Sequence, residues 1–173
     1  PNSSAPVRRM KLALGLAALA IALPRLAGAE PLRACAVPRD LTPAAASPPP
    51  AREVVRDAPT ASYMLALTWS PEWCRTHRSD ADARGQCALN HFGFVVHGLW
   101  PNGASGRHPR YCGPAPALSP TVVRANYCMT PSARLLQHEW AAHGTCGWAT
   151  SAAYFGKAQA LWSRIRTPDL TYA

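Results

Sequence analysis

Two segments that begin with a histidine, at His97 and at His138, hold the side chains best suited to chemistry. The first reads HGLWP and follows an apolar run that is typical of a β-strand. Alternation along that strand predicts that His97 shares a face with Val95 and Leu99. Pro101 predicts the end of the strand pairing, because proline has no N–H to donate to a neighbouring strand.

The second segment, at 138–146, reads HEWAAHGTC and lies in a predicted helix. Thr130 followed by Pro131 predicts the start of that helix, as a capping residue and a proline at the first helical position. Glu139 and His143 are four residues apart, so they share one face of the helix. A strand histidine that faces this pair would complete a set of two imidazoles and one carboxylate. Such a set suits proton transfer at two ends of a bond.

The same segment also resembles the H-E-x-x-H signature of zinc proteases, in which the two histidine ligands are four residues apart. His138 and His143 are five residues apart. On a regular helix their side chains point about 140° away from each other, because each residue turns the helix by about 100°. We therefore predict no metal site and expect no cofactor.

The start of the chain predicts a secretory signal. A basic start, an apolar run at 12–23 and a small-residue cleavage site ending at Ala29 follow one another. We assign residues 10–29 to a signal peptide and residues 1–9, which precede Met10, to upstream read-through. The apolar run is about a dozen residues long, and roughly 20 are needed to span a bilayer. We expect a secreted or periplasmic protein with no stable membrane association after cleavage, the alternative being an uncleaved membrane anchor.

The predicted mature chain is moderately basic. Removing residues 1–29 takes away four basic residues and no acids, so the 18 basic and 9 acidic residues become 14 and 9, a net charge of +5. The remaining 144 residues are enough for one domain with a hydrophobic core. A moderate positive charge helps to attract a polyanion but does not by itself establish nucleic-acid binding.

All six cysteines follow the predicted cleavage site: Cys35, Cys74, Cys87, Cys112, Cys128 and Cys146. An even number of cysteines behind a signal peptide predicts disulfides, and about 15 pairings are open to six cysteines. The absence of any C-x-x-C argues against a zinc knuckle or a redox pair.

The rest of the chain divides into one arm, several loops and two further elements. Residues 30–60 form an irregular, proline-rich arm, and its stretch 43–50, with four prolines among small residues, cannot form a helix or inner strand. We predict a strand at residues 63–69 and a polar, turn-rich loop at residues 74–87. A long loop at 102–120 is expected to line a substrate groove. Residues 151–166 predict a second helix with one buried stripe.

The two histidine segments resemble the active-site motifs of the ribonuclease T2 family, the secreted acid endoribonucleases, which read HGLWP and HEWxKHGTC. The first motif is matched in full and the second at every fixed position but one. The resemblance runs from about Tyr63 to about Arg166 and implies an α+β fold, with helices packed on an antiparallel central sheet and disulfides that staple it. We assign residues 61–173 to this catalytic domain. Since family members usually continue with further strands, we expect the last sheet strands to be missing from this chain.

The resemblance also implies roles for site residues. His97 and His143 resemble the acid and base pair, His143 the base and His97 the acid in the usual assignment, although the residues alone leave the two roles open. Glu139 resembles the carboxylate that orients a histidine or contacts the phosphoryl group. His138 resembles an auxiliary phosphate-binding histidine.

Further implications concern the nucleobase and the cysteines. Trp100 and Asn102 match the positions where the family stacks and hydrogen-bonds a base. The resemblance pairs Cys74 with Cys87 and Cys112 with Cys146, which leaves Cys35 with Cys128.

The one departure from the motifs is Ala142, where the family carries lysine. Losing a charge that stabilises the transition state can cost on the order of 3 kcal/mol. Either a nearby arginine substitutes, with Arg107, Arg110 and Arg134 as candidates, or the protein is slower.

The function predicted from these residues is a metal-independent endoribonuclease that acts as a monomer on single-stranded RNA. Cleavage would use the 2′-hydroxyl of the RNA and pass through a 2′,3′-cyclic phosphate to 3′-phosphate ends. One alternative is a weakened or inactive relative that acts as a secreted polyanion- or RNA-binding protein. Another, a membrane-anchored structural protein, rests on the signal region alone.

Overall fold

The structure, a computed structural model, describes residues 35–168 and residue 170. The predicted read-through segment 1–9 and signal peptide 10–29 lie outside the described residues. The elements are β1 (Ser62–Trp69), α1 (Ser70–His77), β2 (Phe94–Asn102), α2 (Pro120–Asn126), α3 (Ala133–Ala142) and α4 (Ser151–Trp162). Helices beside an antiparallel pair of strands confirm the α+β fold class. Within the described part of the chain, no helix is both long and apolar enough to cross a bilayer.

Strands β1 and β2 pair in antiparallel fashion over their whole length. The expected stop at Pro101 is wrong, because the pairing continues through Pro101, opposite Tyr63. A proline is tolerated in a strand where its nitrogen does not have to donate to the paired strand.

A bulge interrupts the pairing at the first motif. Gly98 lies opposite Ala66 and Val96 opposite Leu67, so His97 is the extra residue. The prediction that His97 shares a face with Leu99 is therefore wrong. Val96 and Leu99 both pack in the core, whereas the His97 side chain is 38% exposed. Bulges commonly re-aim side chains in this way next to active sites.

The hydrophobic core lies between β2 and the helices. It contains Val96 and Leu99 from β2, Val123 from α2, Leu136 from α3 and Tyr154 from α4. The Tyr154 hydroxyl accepts a hydrogen bond from the Leu99 amide at 3.1 Å and donates to the Leu99 carbonyl at 3.3 Å. This contact fixes α4 against the strand that carries the first motif.

Three predicted boundaries differ from the structure. The cap of α3 is Ser132, whose hydroxyl accepts from the Leu135 amide, whereas the Thr130 hydroxyl donates to the Val96 carbonyl at 2.8 Å. The 74–87 segment begins inside α1, although it was predicted to be a loop. Helix α4 ends at Trp162, four residues before the predicted end.

Three disulfides staple the domain, and they are the pairs that the family resemblance implied. Cys35–Cys128 ties the proline-rich arm to the segment after α2. Cys74–Cys87 closes the segment that begins in α1, and Cys112–Cys146 joins the long loop to the turn after α3. Together they hold the arm, the loop and the second motif to one core.

Candidate active site

Glu139 lies at the centre of the two motif segments. Its side chain is 1% exposed. The Glu139 Oε1 atom lies 3.4 Å from His97 Nε2, and its Oε2 atom lies 4.0 Å from His143 Nε2. The other ring nitrogen of His97, Nδ1, lies 3.3 Å from the Thr68 hydroxyl of β1. One strand histidine, one helix carboxylate and one histidine at the end of α3 thus share a single site.

Trp100 is part of the same cluster, three residues after the bulge. Its indole Nε1 donates to Glu139 Oε2 at 2.8 Å. The Trp100 ring stacks on His143 with ring centroids 5.5 Å apart, and it meets the His97 ring edge to face with centroids 5.4 Å apart. No local pattern predicts this hydrogen bond, because Trp100 and Glu139 are 39 residues apart. A base-stacking role for Trp100 stays a prediction.

Gly98 leaves room for this arrangement. A Cβ atom at Gly98 would collide with the Glu139 carboxylate and lie 2.7 Å from Trp100 Nε1. The glycine of the first motif therefore allows the buried carboxylate to approach the strand closely.

The separation predicted for His138 and His143 is wrong. Helix α3 ends at Ala142, and His143 has a φ of −123°, which turns its side chain off the helical path. The two imidazole rings lie 6.4 Å apart. Ligand atoms of His138, Glu139 and His143 all lie within 4.8 Å of one another, close enough to hold a metal ion. The distance between these side chains therefore does not exclude a metal ion, contrary to the expectation from helix geometry.

Burial dominates the proton affinities of Glu139 and His143. It raises the pKa of Glu139 to about 8, against the smaller opposing effects of the Trp100 hydrogen bond and the Arg110 charge. Burial lowers the pKa of His143 to about 3, and the positive charges of Arg110, His138 and His97 lower it further. Near pH 6 the carboxyl is therefore protonated and the His143 imidazole is neutral.

The two remaining histidines also favour their neutral forms. Burial, and then the charge of His138, lowers the pKa of His97. Burial and the charge of Arg110 lower the pKa of His138, and Glu53 raises it. Cationic and acidic side chains outside the two motifs therefore act on this site.

Residues 60–171 match the model of the Ribonuclease T2 family. The chain belongs to this family. It is 40% identical over 124 residues to a probable ribonuclease of Haemophilus influenzae, and the aligned region covers 65% of this chain and 46% of that protein. It is 42% identical over 84 residues to a ribonuclease of Aeromonas hydrophila, covering 49% and 36%. The chain thus spans less than half the length of either relative.

A solved structure of RNase NT in complex with 5′-AMP is similar over 58% of this chain and 55% of that one, at 26% identity and a TM-score of 0.48. The family match confirms the resemblance carried by the two motifs, HGLWP and HEWAAHGTC.

The position at which the ribonuclease T2 motif carries lysine is buried in this chain. Ala142 is 0% exposed. Two of the three candidate arginines form ion pairs at the surface, Arg107 with Asp57 and Arg134 with Asp82. The third, Arg110, differs from both because its charge lowers the pKa of Glu139 and of His143, as a smaller effect than burial.

Asn102, the second expected base-binding residue of the ribonuclease T2 pattern, is the last residue of β2. Its carbonyl accepts from the Ala61 amide at 2.7 Å, and it lies opposite Ser62 in the sheet. The structure places it two residues beyond Trp100 on the same strand, and its contact with a base stays a prediction.

Proposed function

We propose that this chain is the catalytic part of an endoribonuclease that cleaves single-stranded RNA by transphosphorylation. The observation that carries the proposal is the buried Glu139 carboxyl with His97 and His143 on either side of it. Family membership and the ribonuclease names of the bacterial relatives support it. We further propose a secreted or periplasmic location, because three disulfides persist best in an oxidising compartment, and a protein that acts as a monomer.

His143 is proposed as the base of the first step. Burial lowers the pKa of His143, so the imidazole is neutral at mildly acidic pH, which is the form that a general base needs before it takes a proton. It removes the proton of the 2′-hydroxyl, whose oxygen attacks phosphorus. The bond from phosphorus to the 5′-oxygen breaks, and a 2′,3′-cyclic phosphate forms.

His97 is proposed as the acid. Burial raises the pKa of Glu139 to about 8, and its Oε1 atom lies 3.4 Å from His97 Nε2. Glu139 and His97 therefore hold one proton between them at mildly acidic pH. That proton passes through His97 to the departing 5′-oxygen. In the second step the roles reverse, and water opens the cyclic phosphate to a 3′-phosphate.

Metal independence is part of the proposal. The three side chains that are close enough for a metal are His138, Glu139 and His143. Glu139 and His143 are used here for proton transfer, and a bound cation would remove their ability to exchange protons. Cleavage with excess EDTA present tests this point, and loss of activity that added Zn²⁺ restores would overturn it.

Single-turnover cleavage of a short RNA tests the function. We expect His97→Ala and His143→Ala each to slow the reaction by about 10²-fold or more, since each removes one proton-transfer partner. His91→Ala is the matched control, because His91 is exposed and lies outside the motifs. Near-normal cleavage in either site variant would overturn the assignment.

A second candidate rests on Ala142, which removes the lysine of the family motif. It is a secreted relative that binds RNA or other polyanions with little or no cleavage. The cleavage assay and a filter-binding assay together separate the two candidates. The second candidate predicts that RNA is retained on the filter but that no product depends on His97.

A further inference from the structure

Arg110 is less exposed than the other two candidate arginines. Its side chain is 32% exposed, against 62% for Arg107 and 81% for Arg134. Its Nε atom is buried and has no hydrogen-bond partner among the described residues. A buried guanidinium donor without a partner is costly, because its hydration is lost and nothing replaces it. The structure therefore leaves one donor of this guanidinium without a partner among the described residues.

The backbone beside Arg110 is attached to the residue that replaces the family's lysine. The amide of Tyr111 donates to the carbonyl of Ala142 at 2.9 Å. Tyr111 has a φ of +54°, a conformation that a tyrosine adopts only when its surroundings hold it there. The next residue, Cys112, is held to Cys146 by a disulfide. These contacts place Arg110 one residue away from a direct link to position 142.

The Arg110 side chain also lies among the side chains of the site. Its Cζ atom lies 5.4 Å from the centre of the Tyr111 ring, and that ring lies 6.3 Å from the His138 ring. Burial is the largest influence on the pKa of His138 and His143, and the Arg110 charge is the second, lowering both values further. For Glu139, burial raises the pKa, while the Trp100 hydrogen bond and then the Arg110 charge oppose that rise. The Tyr111 ring, with Arg110 on one side and His138 near the other, thus connects the guanidinium to the histidine that is expected to bind phosphate.

The proline-rich arm holds this arginine in place. Val55 and Arg110 exchange two backbone hydrogen bonds, at 2.8 and 2.9 Å. Glu53 Oε2 lies 3.0 Å from Arg110 Nη2, and both side chains are about one-third exposed. The arm therefore fixes both the backbone and one nitrogen of the guanidinium.

We propose that Arg110 binds the scissile phosphate in this chain, as the cation that replaces the lysine lost at position 142, and that Glu53 is its positioning residue. The proposal rests on the proposed RNA cleavage. A planar guanidinium presents several N–H donors in a fixed geometry that matches phosphate oxygens. Its charge offsets the additional negative charge that develops on phosphorus as the 2′-oxygen attacks.

Substitution of Arg110 by methionine tests the proposal. We expect Arg110→Met to slow single-turnover cleavage by about 10²-fold. Arg110→Lys, which keeps the charge, is expected to recover at least tenfold of that loss. The matched controls are Arg107→Met and Arg134→Met, which remove arginines paired at the surface and are expected to stay within threefold of the parent protein.

Two further measurements separate phosphate binding from a structural role. The double variant Arg110→Met with Glu53→Gln leaves no unpaired carboxylate, so a melting temperature near that of the parent protein shows that the fold is intact. We expect this double variant to be as slow as Arg110→Met. Inorganic phosphate is the binding probe, and we expect Arg110→Met to weaken its inhibition of cleavage at least tenfold.

Rates within threefold of the parent protein in Arg110→Met, with unchanged inhibition by phosphate, would overturn the role of Arg110. Cleavage that depends on His97 would leave the proposed function standing in that case. If the parent protein cleaves no RNA, the proposed function fails by itself. Phosphate binding measured by calorimetry then tests Arg110 separately, and equal affinities of the parent protein and Arg110→Met would overturn the proposal.

Discussion

Glu139→Gln is expected to remove one component of the pH dependence of stability. Burial raises the pKa of Glu139 to about 8, from an ordinary value of 4.5. The folded protein therefore keeps this proton over a pH range in which the unfolded chain releases it. The stability contributed by the protonated carboxyl is fully present below pH 4.5 and is lost as the pH rises through 8.

The size of the effect follows from the two pKa values, about 8 when folded and 4.5 when unfolded. One unit of difference corresponds to about 1.4 kcal/mol. Between pH 6 and pH 8 the wild-type protein therefore loses about 2 kcal/mol of unfolding free energy through this group. Glutamine cannot titrate, and its side-chain carbonyl still accepts the hydrogen bond from Trp100. Titratable groups that do not contact Glu139 contribute equally to both proteins and cancel in the comparison.

Urea unfolding followed by tryptophan fluorescence at pH 6, 7 and 8 measures the difference between the two proteins. We expect Glu139→Gln to gain about 2 kcal/mol relative to wild type between pH 6 and pH 8. A difference that stays constant across these three pH values would refute the reasoning, because it would mean that the buried carboxyl does not change its protonation there.

Two further predictions concern close packing at the site. Gly98→Ala is expected to lower the unfolding free energy by about 1–3 kcal/mol and to slow RNA cleavage, because the added methyl group meets the Glu139 carboxyl group. Gly156→Ala is the control, because no atom lies within 4 Å of the added methyl group, and we expect it to be neutral or stabilising in urea unfolding. Ala142→Lys is expected to cost a similar free energy without speeding single-turnover cleavage, because position 142 is fully buried and Arg110 already supplies a cation. A faster chemical step in Ala142→Lys would show that no cation fills that role.

The sequence alone identified the chemical groups better than their geometry. Both motifs are local, so His97, Glu139 and His143 were found without knowing the fold. The bulge at His97 was missed because register depends on pairing with β1, which alternation within β2 does not reveal. The end of α3 was missed for a similar reason, since the backbone of His143 leaves the helix within the motif itself.

The proline-rich arm shows why some functional residues have no sequence signal of their own. Glu53 and Arg110 are 57 residues apart and belong to neither motif, and contacts between the arm and the long loop, among them the bridge from Val55 to Arg110, bring them together. A motif search reports Ala142 as a missing lysine. The fold places a half-buried arginine beside that same position, held by an acidic residue of the arm. Under the proposed mechanism the charge that develops on phosphorus calls for a cation in this site, and that requirement does not specify which segment of the chain supplies it.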